Sequence, residues 1–296
     1  MNLAELRNRL AKVQGVMFDI DGCLVLSDGP SGHGGNALPG AREAIEIVRQ
    51  TGRSMAVFTN GSMQTPAQIG ASLRSHGLDV LDDEVLTPAV VAAETMQTLY
   101  QDRPLLVFGG NGVQHDFERR GLNLVDHDRA IAGEPTNAAA VIIGWDTDFG
   151  KDKIQTAAEA VLAGAEIYCT SDAPSFASTQ RLNVGVSGFI AAGLSHVTGR
   201  PYRVLGKPSV EAIAVLTDRL GVPPSQTLII GDDLTLECRM ARTAGALGAL
   251  VTTGTHSTAD AAATSAEQKP DFVVDSLLGL VELLSLVSED TPAHLG

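Results

Sequence analysis

Short, continuous apolar runs punctuate this chain, and between them lie longer segments whose apolar residues recur at three- and four-residue spacing. The runs at 15–19, 54–59, 105–109, 139–144, 166–170, 227–231, 249–252 and 272–274 read as strands buried on both faces. The spaced patterns at 40–51, 65–76, 88–99, 151–163, 208–220 and 234–244 read as helices, and 1–12 as a charged amphipathic one. This alternation predicts an α/β fold with a parallel, Rossmann-like sheet. No short-period repeat, low-complexity tract or Pro-rich linker interrupts it, so composition alone marks no domain boundary.

Chemistry enters where the runs end. Asp19-Ile20-Asp21-Gly22 follows the run Gly15-Val16-Met17-Phe18. Residues two apart on an extended segment point the same way, so Asp19 and Asp21 can present two carboxylates to one reacting centre. They stand at the carboxyl end of a strand, where open parallel sheets build ligand sites. Thr59-Asn60-Gly61 and Gly231-Asp232-Asp233 also close apolar runs, and Gly206-Lys207-Pro208 opens a helical pattern. Each alone matches something ordinary: a surface turn, a loop after a strand, a solvated lysine, or a turn with an N-cap. Four such motifs in one order, each in strand or turn context, outweigh those readings.

Charge narrows the partners. The chain has 35 acidic and 21 basic side chains, a net charge of −14, which argues against a general nucleic-acid binder. Any phosphate site must then be assembled locally, from a metal ion, a lysine and backbone N–H groups. Three scattered cysteines, Cys23, Cys169 and Cys238, give neither a zinc spacing nor a disulfide framework and suit a reducing cytoplasm. Cys23 beside the acidic motif reads as a small buried hydrophobe. The first dozen residues carry no signal-peptide core, and the longest apolar stretch, 277–287, contains Glu282 and is too short to span a bilayer. A cytoplasmic protein with no membrane partner is the expectation.

The four motifs, in this order, resemble the haloacid dehalogenase superfamily of phosphotransferases. The surrounding residues Phe18-Asp19-Ile20-Asp21-Gly22, Val57-Phe58-Thr59-Asn60-Gly61-Ser62, Val204-Leu205-Gly206-Lys207-Pro208 and Leu228-Ile229-Ile230-Gly231-Asp232 look like its class IIA, NagD-like or p-nitrophenyl phosphatase type. The interval from Asp19 to Thr59 holds a crossover helix but no domain, whereas that from Thr59 to Lys207 holds a whole α/β insertion. The resemblance thus implies a core at 1–83 and 180–296, with a class II cap at 84–179 that covers the active site and selects substrates.

The same resemblance implies the roles. Asp19 is the nucleophile that forms an aspartyl phosphate, and Asp21 protonates the leaving oxygen and then deprotonates water. The superfamily's dehalogenases lack that second acid. Mg²⁺ is expected on Asp19, the backbone carbonyl of Asp21, and Asp232. Thr59 offers its hydroxyl, and Asn60 and Gly61 their N–H groups, to phosphoryl oxygens, while Lys207 supplies positive charge. The implied activity is hydrolysis of a small phosphate monoester such as a glycerol, sugar or pyridoxal phosphate, phosphoglycolate or a nucleoside monophosphate. A phosphotransferase to an alcohol and a non-catalytic ligand-binding relative are the alternatives. Homodimerisation through the cap is common in such proteins.

The chain departs from the family pattern twice. An aspartate usually follows the first of the fourth motif by five positions, where this chain has Glu237; Asp233 is the alternative acid. The segment 27–38, rich in Gly and polar residues, is longer than usual and leaves the sheet beside the catalytic acids; its His33 is a candidate substrate contact, a solvated loop being the plainer reading. In the cap, Cys169-Thr170-Ser171-Asp172 follows a strand candidate and resembles the type's Thr-Asn-x-Asp-like loop near the active site, and Gly144-Trp145-Asp146 likewise follows one and resembles the family's Gly-x-Asp turn. Packing is the expected role of Trp145, with stacking on a substrate ring as the alternative. His115, His127 and His196 show no metal-ligand spacing, and the tail from Ser288 is expected to be disordered.

Overall fold

The structure, a computed structural model, describes residues 2–26, 35–176 and 183–289. His33 with most of its loop, and the tail beyond residue 289, lie outside the described residues. The chain divides into two compact units: Met1–Thr59, Ile69–Leu86 and Ile213–Gly296 form the first, Asn60–Gln68 and Thr87–Ala212 the second.

The first unit is built on a six-stranded parallel sheet. Its order is Phe272–Val274, Leu247–Val251, Thr227–Gly231, Gly15–Phe18, Ser54–Phe58 and Val85–Leu86. From Gly15–Phe18 the chain adds strands outward in one direction through Ser54–Phe58, then restarts on the other side with Thr227–Gly231. The seam between Gly15–Phe18 and Thr227–Gly231 is therefore the topological switch point, where loops leaving adjacent strands diverge and open a crevice. Val16, Phe18, Leu228, Ile230, Ala249 and Val251, at alternate positions of three adjacent strands, enter one buried cluster. Helices Leu3–Leu10, Ala41–Gln50 and Leu277–Glu289 contribute to it through Leu6, Leu10, Ile45, Val48, Leu280 and Leu284. The apolar stretch weighed as a membrane segment is thus a helix packed on the sheet, and no described helix is long and apolar enough to cross a membrane.

The second unit has its own parallel sheet, ordered Tyr202–Val204, Glu166–Cys169, Ala140–Ile143 and Leu105–Phe108. Leu106, Phe108, Val141, Ile143, Ile167 and Cys169 bury against Ala157, Val161, Ala191 and Leu194 of helices Lys151–Leu162 and Val186–Thr198. Helix Pro88–Tyr100 starts on a firm signal: Thr87 accepts from the Val90 N–H at 3.2 Å, with Pro88 in the first turn. The sheet takes its edge strand from Tyr202–Val204, beyond the insert's expected end at residue 179, because that strand pairs in register with Glu166–Cys169.

Candidate active site

Asp19 continues the strand Gly15–Phe18 by one residue, its N–H donating to the Ile230 carbonyl at 2.8 Å, and its side chain is buried. A tight turn follows. The N–H of Gly22 donates to the Val25 carbonyl at 2.7 Å, and those of Leu24 and Val25 both reach the Ile20 carbonyl at 3.0 Å. Gly22 has φ +86°, which a side chain rarely adopts, and a Cβ there would strike the Asp232 carboxylate. The acidic loop and Asp232 are therefore packed backbone to side chain across the seam. Cys23 is fully buried, in keeping with its reading as a hydrophobe.

Asp232 leaves the adjacent strand Thr227–Gly231. Its Oδ2 accepts from the Thr255 N–H at 2.6 Å and its carbonyl from that of His256 at 3.1 Å. Burial, reinforced by the neighbouring charge of Glu237, pushes its pKa up to about 6 against the pull of the Thr255 bonds. Glu237 is almost fully buried beside it, with its side chain against Gly231 and Oε2 accepting from the Asp233 N–H at 3.3 Å. Asp233 has a different task. Its Oδ1 accepts from both the N–H and the hydroxyl of Thr235 at 2.7 Å, capping the π-helical turn Leu234–Cys238. Both acids left open by the sequence raise the Asp232 pKa, Glu237 more than Asp233.

Among the described residues no group of three or more His, Cys, Asp or Glu side chains is placed to hold a metal. The expected set does not call for one, since a hard ion such as Mg²⁺ takes one or two carboxylates and completes its shell with carbonyl, substrate and water oxygens. Asp19, Asp232 and the Asp21 carbonyl are oxygen donors of the kind such an ion takes, and the charge of Glu237 acts on Asp232.

The raised pKa of Asp232 carries a stability cost. The fold favours its neutral form, so its contribution is most favourable below the ordinary carboxylate range near 4 and is lost as pH rises through about 6. Asp232→Asn keeps an acceptor for Thr255 but carries no charge. In metal-free protein this substitution is expected to stabilise by about 2–3 kcal/mol at pH 7.5 and by little at pH 4.5. Thermal melts of both proteins at the two pH values in EDTA check this.

Thr59 ends the strand Ser54–Phe58, buried, with its N–H donating to the Leu86 carbonyl at 3.3 Å. The next residue, Asn60, opens the second unit. Its side chain makes a reciprocal pair with Lys207: Nδ2 donates to the Lys207 carbonyl at 3.0 Å, and Oδ1 accepts from the Lys207 N–H at 2.9 Å. The sequence suggested only backbone donation from Asn60, and nothing in its spacing announced this clamp. Gly206 lies in the same knot, donating to the Thr170 carbonyl at 2.9 Å, and a Cβ on it would come within 2.8 Å of Asn60 Oδ1. Lys207 is buried. The following helix begins at Val210 rather than at Pro208, because Ser209 caps it by accepting from the Ala212 N–H at 3.0 Å.

The other loops of the second unit are similarly tied. The carbonyl of Trp145 accepts from the Gly110 N–H at 2.9 Å, and Trp145 is half-buried. Asp146 is buried and paired with Lys153 at 2.8 Å. Burial pushes the Cys169 thiol up to about 12, which makes it inert at neutral pH. His127 packs against Phe108, with ring centroids 4.9 Å apart, and burial lowers its pKa, a structural role.

The structure thus groups Asp19, Asp21, Thr59 and Asp232 at the carboxyl ends of the first unit's strands, and joins Asn60 to Lys207 in the second. The sequence supports the same class. A haloacid dehalogenase-like hydrolase family model matches residues 16–123, and a second model of hydrolases of this type matches 204–280. Human chronophin is 28% identical over 94% of this chain and 96% of its own length. The sugar-phosphatase AraL of Bacillus subtilis is 25% identical over 91% of this chain and 92% of its own. The crystal structure of a 4-nitrophenylphosphatase from Thermotoga maritima superposes with a TM-score of 0.81 at 26% identity, covering 93% of this chain and 98% of that one. The chain belongs to the haloacid dehalogenase-like hydrolases.

Proposed function

We propose that this protein is a Mg²⁺-dependent phosphatase that hydrolyses a small phosphate monoester through an aspartyl-phosphate intermediate. The observation that carries the reading is the pair Asp19 and Asp21 in one turn at the topological switch point, with Asp232 on the adjacent strand packed against Gly22. Relatives named as a sugar phosphatase and a 4-nitrophenylphosphatase support phosphoric monoesters as the substrate class.

In the first step an Asp19 carboxylate oxygen attacks phosphorus, the bond from phosphorus to the ester oxygen breaks, and Asp21 gives its proton to that oxygen. In the second step Asp21, now ionised, takes a proton from water as the water oxygen attacks phosphorus, and the Asp19 carboxylate leaves. Phosphoryl transfer needs chiefly positioning and charge neutralisation. Lys207 supplies fixed positive charge, Thr59 a hydroxyl, and Asn60 and Gly61 N–H donors. Mg²⁺, held by Asp19, Asp232 and the Asp21 carbonyl, would offset the phosphoryl charge. The substrate is a small phosphorylated metabolite, the protein acts in the cytoplasm, and a homodimer is its proposed assembly.

The test is phosphate release from a panel of small esters with Mg²⁺ and with EDTA. The expected result is release that falls by at least ~100-fold in EDTA and returns when Mg²⁺ is restored. Equal rates in both would refute the metal assignment. Phosphate appearing only on an added alcohol would identify a transferase instead.

A further inference from the structure

We infer that Thr253 is a positioning residue for the acid–base group Asp21, acting through the main chain of Gly22; this rests on the phosphatase reading above. Thr253 lies in the loop after strand Leu247–Val251, outside all four motifs that mark the chemistry. Its hydroxyl donates to the Gly22 carbonyl at 2.6 Å. The Gly22 N–H is held separately, at 2.7 Å from the Val25 carbonyl. Gly22 is therefore fixed at both of its peptide planes. Because a trans peptide is planar, fixing the Gly22 N–H also sets the direction of the Asp21 carbonyl, which points the opposite way.

The rest of the loop grips the adjacent strand. Thr255 N–H reaches Asp232 Oδ2 at 2.6 Å and His256 N–H the Asp232 carbonyl at 3.1 Å. Between Thr253 and Thr255, Gly254 lies so close to both partners that a Cβ on it would be 2.8 Å from the Gly22 Cα and would collide with the Asp232 carboxylate. One short loop thus ties the Asp21–Gly22 turn to Asp232 across the seam. Thr253 supplies the side chain that reaches Gly22, while the N–H groups of Thr255 and His256 reach Asp232. Removing its hydroxyl frees the Gly22 carbonyl and leaves the turn held only by its own internal hydrogen bonds and by packing on Asp232. A turn that carries the leaving-group acid loses most where that acid matters most, because misplacement of a catalytic group costs rate steeply.

The test compares wild type, Thr253→Val and Thr253→Ser on two esters. The alkoxide leaving from glycerol phosphate needs a proton from Asp21, whereas the nitrophenolate leaving from p-nitrophenyl phosphate does not. The comparison uses kcat/KM, which covers the steps through leaving-group departure. Thr253→Val is expected to lose ~10- to 100-fold on glycerol phosphate and less than ~3-fold on p-nitrophenyl phosphate, while Thr253→Ser stays near wild type on both. In a readout without turnover, Thr253→Val should need several-fold more Mg²⁺ to reach half of its thermal stabilisation, since the turn that carries the Asp21 carbonyl has lost its side-chain tie to the loop that holds Asp232. Equal losses on the two esters, or a Ser variant as impaired as the Val variant, would overturn the assignment. A wild-type protein that hydrolyses neither ester would instead sink the phosphatase reading, and this inference with it.

Discussion

Asp19→Asn is expected to lower phosphate release by about four orders of magnitude or more, the scale seen when a covalent nucleophile is removed. The substitution is nearly isosteric, and the main-chain bond from Asp19 N–H to the Ile230 carbonyl is untouched, so the strand end and its turn persist. What disappears is the anionic oxygen that attacks phosphorus; a carboxamide does not replace it. Steady-state release by the purified variant, beside its circular dichroism and melting curve, separates lost chemistry from lost fold. A folded variant with activity within tenfold of wild type would remove Asp19 as the nucleophile.

Lys207→Met carries the second-largest expected loss, ~100- to 1,000-fold in kcat/KM, in the range found when one group stabilising transition-state charge is removed. Methionine is unbranched and fills a buried lysine slot without charge. The clamp from Asn60 engages the Lys207 main chain, not its ammonium, so Met leaves both of those hydrogen bonds available. Loss of rate with an unchanged melting point would assign the effect to charge. Parallel loss of rate and stability would assign it to packing.

Much of this account was legible in the chain because buried parallel strands write themselves as continuous apolar runs. Gly15–Phe18, Ser54–Phe58 and Thr227–Gly231 are such runs, and the acids fall immediately after two of them. Val85–Leu86 is too short to register as a run, and Arg203 interrupts Tyr202–Val204, so neither of these edge strands stands out as the wholly apolar Phe272–Val274 does. Helix Val186–Thr198 was missed for a different reason. Gly188 and Gly193 lower its intrinsic helix preference, yet Gly188 is needed because a Cβ there would come within 2.7 Å of the Asp172 Cα.

The candidate site followed the same division. Residues whose chemistry is local to a motif, such as Asp19, Asp21 and Asp232, could be named from sequence. The Asn60–Lys207 clamp and the tie from Thr253 to Gly22 join residues distant in the chain. Such pairings depend on which strands neighbour one another, which a single sequence does not state. Asp233 shows the converse: an acid in the right motif that works as a helix cap.

The most direct test of the two-step route is the stereochemical outcome at phosphorus, measured on a hydrolysed ester made chiral at that atom. Attack by Asp19 followed by attack of water inverts the centre twice, so this account predicts net retention of configuration. Net inversion would mean that water displaces the leaving group in one step, and would contradict the aspartyl phosphate at Asp19.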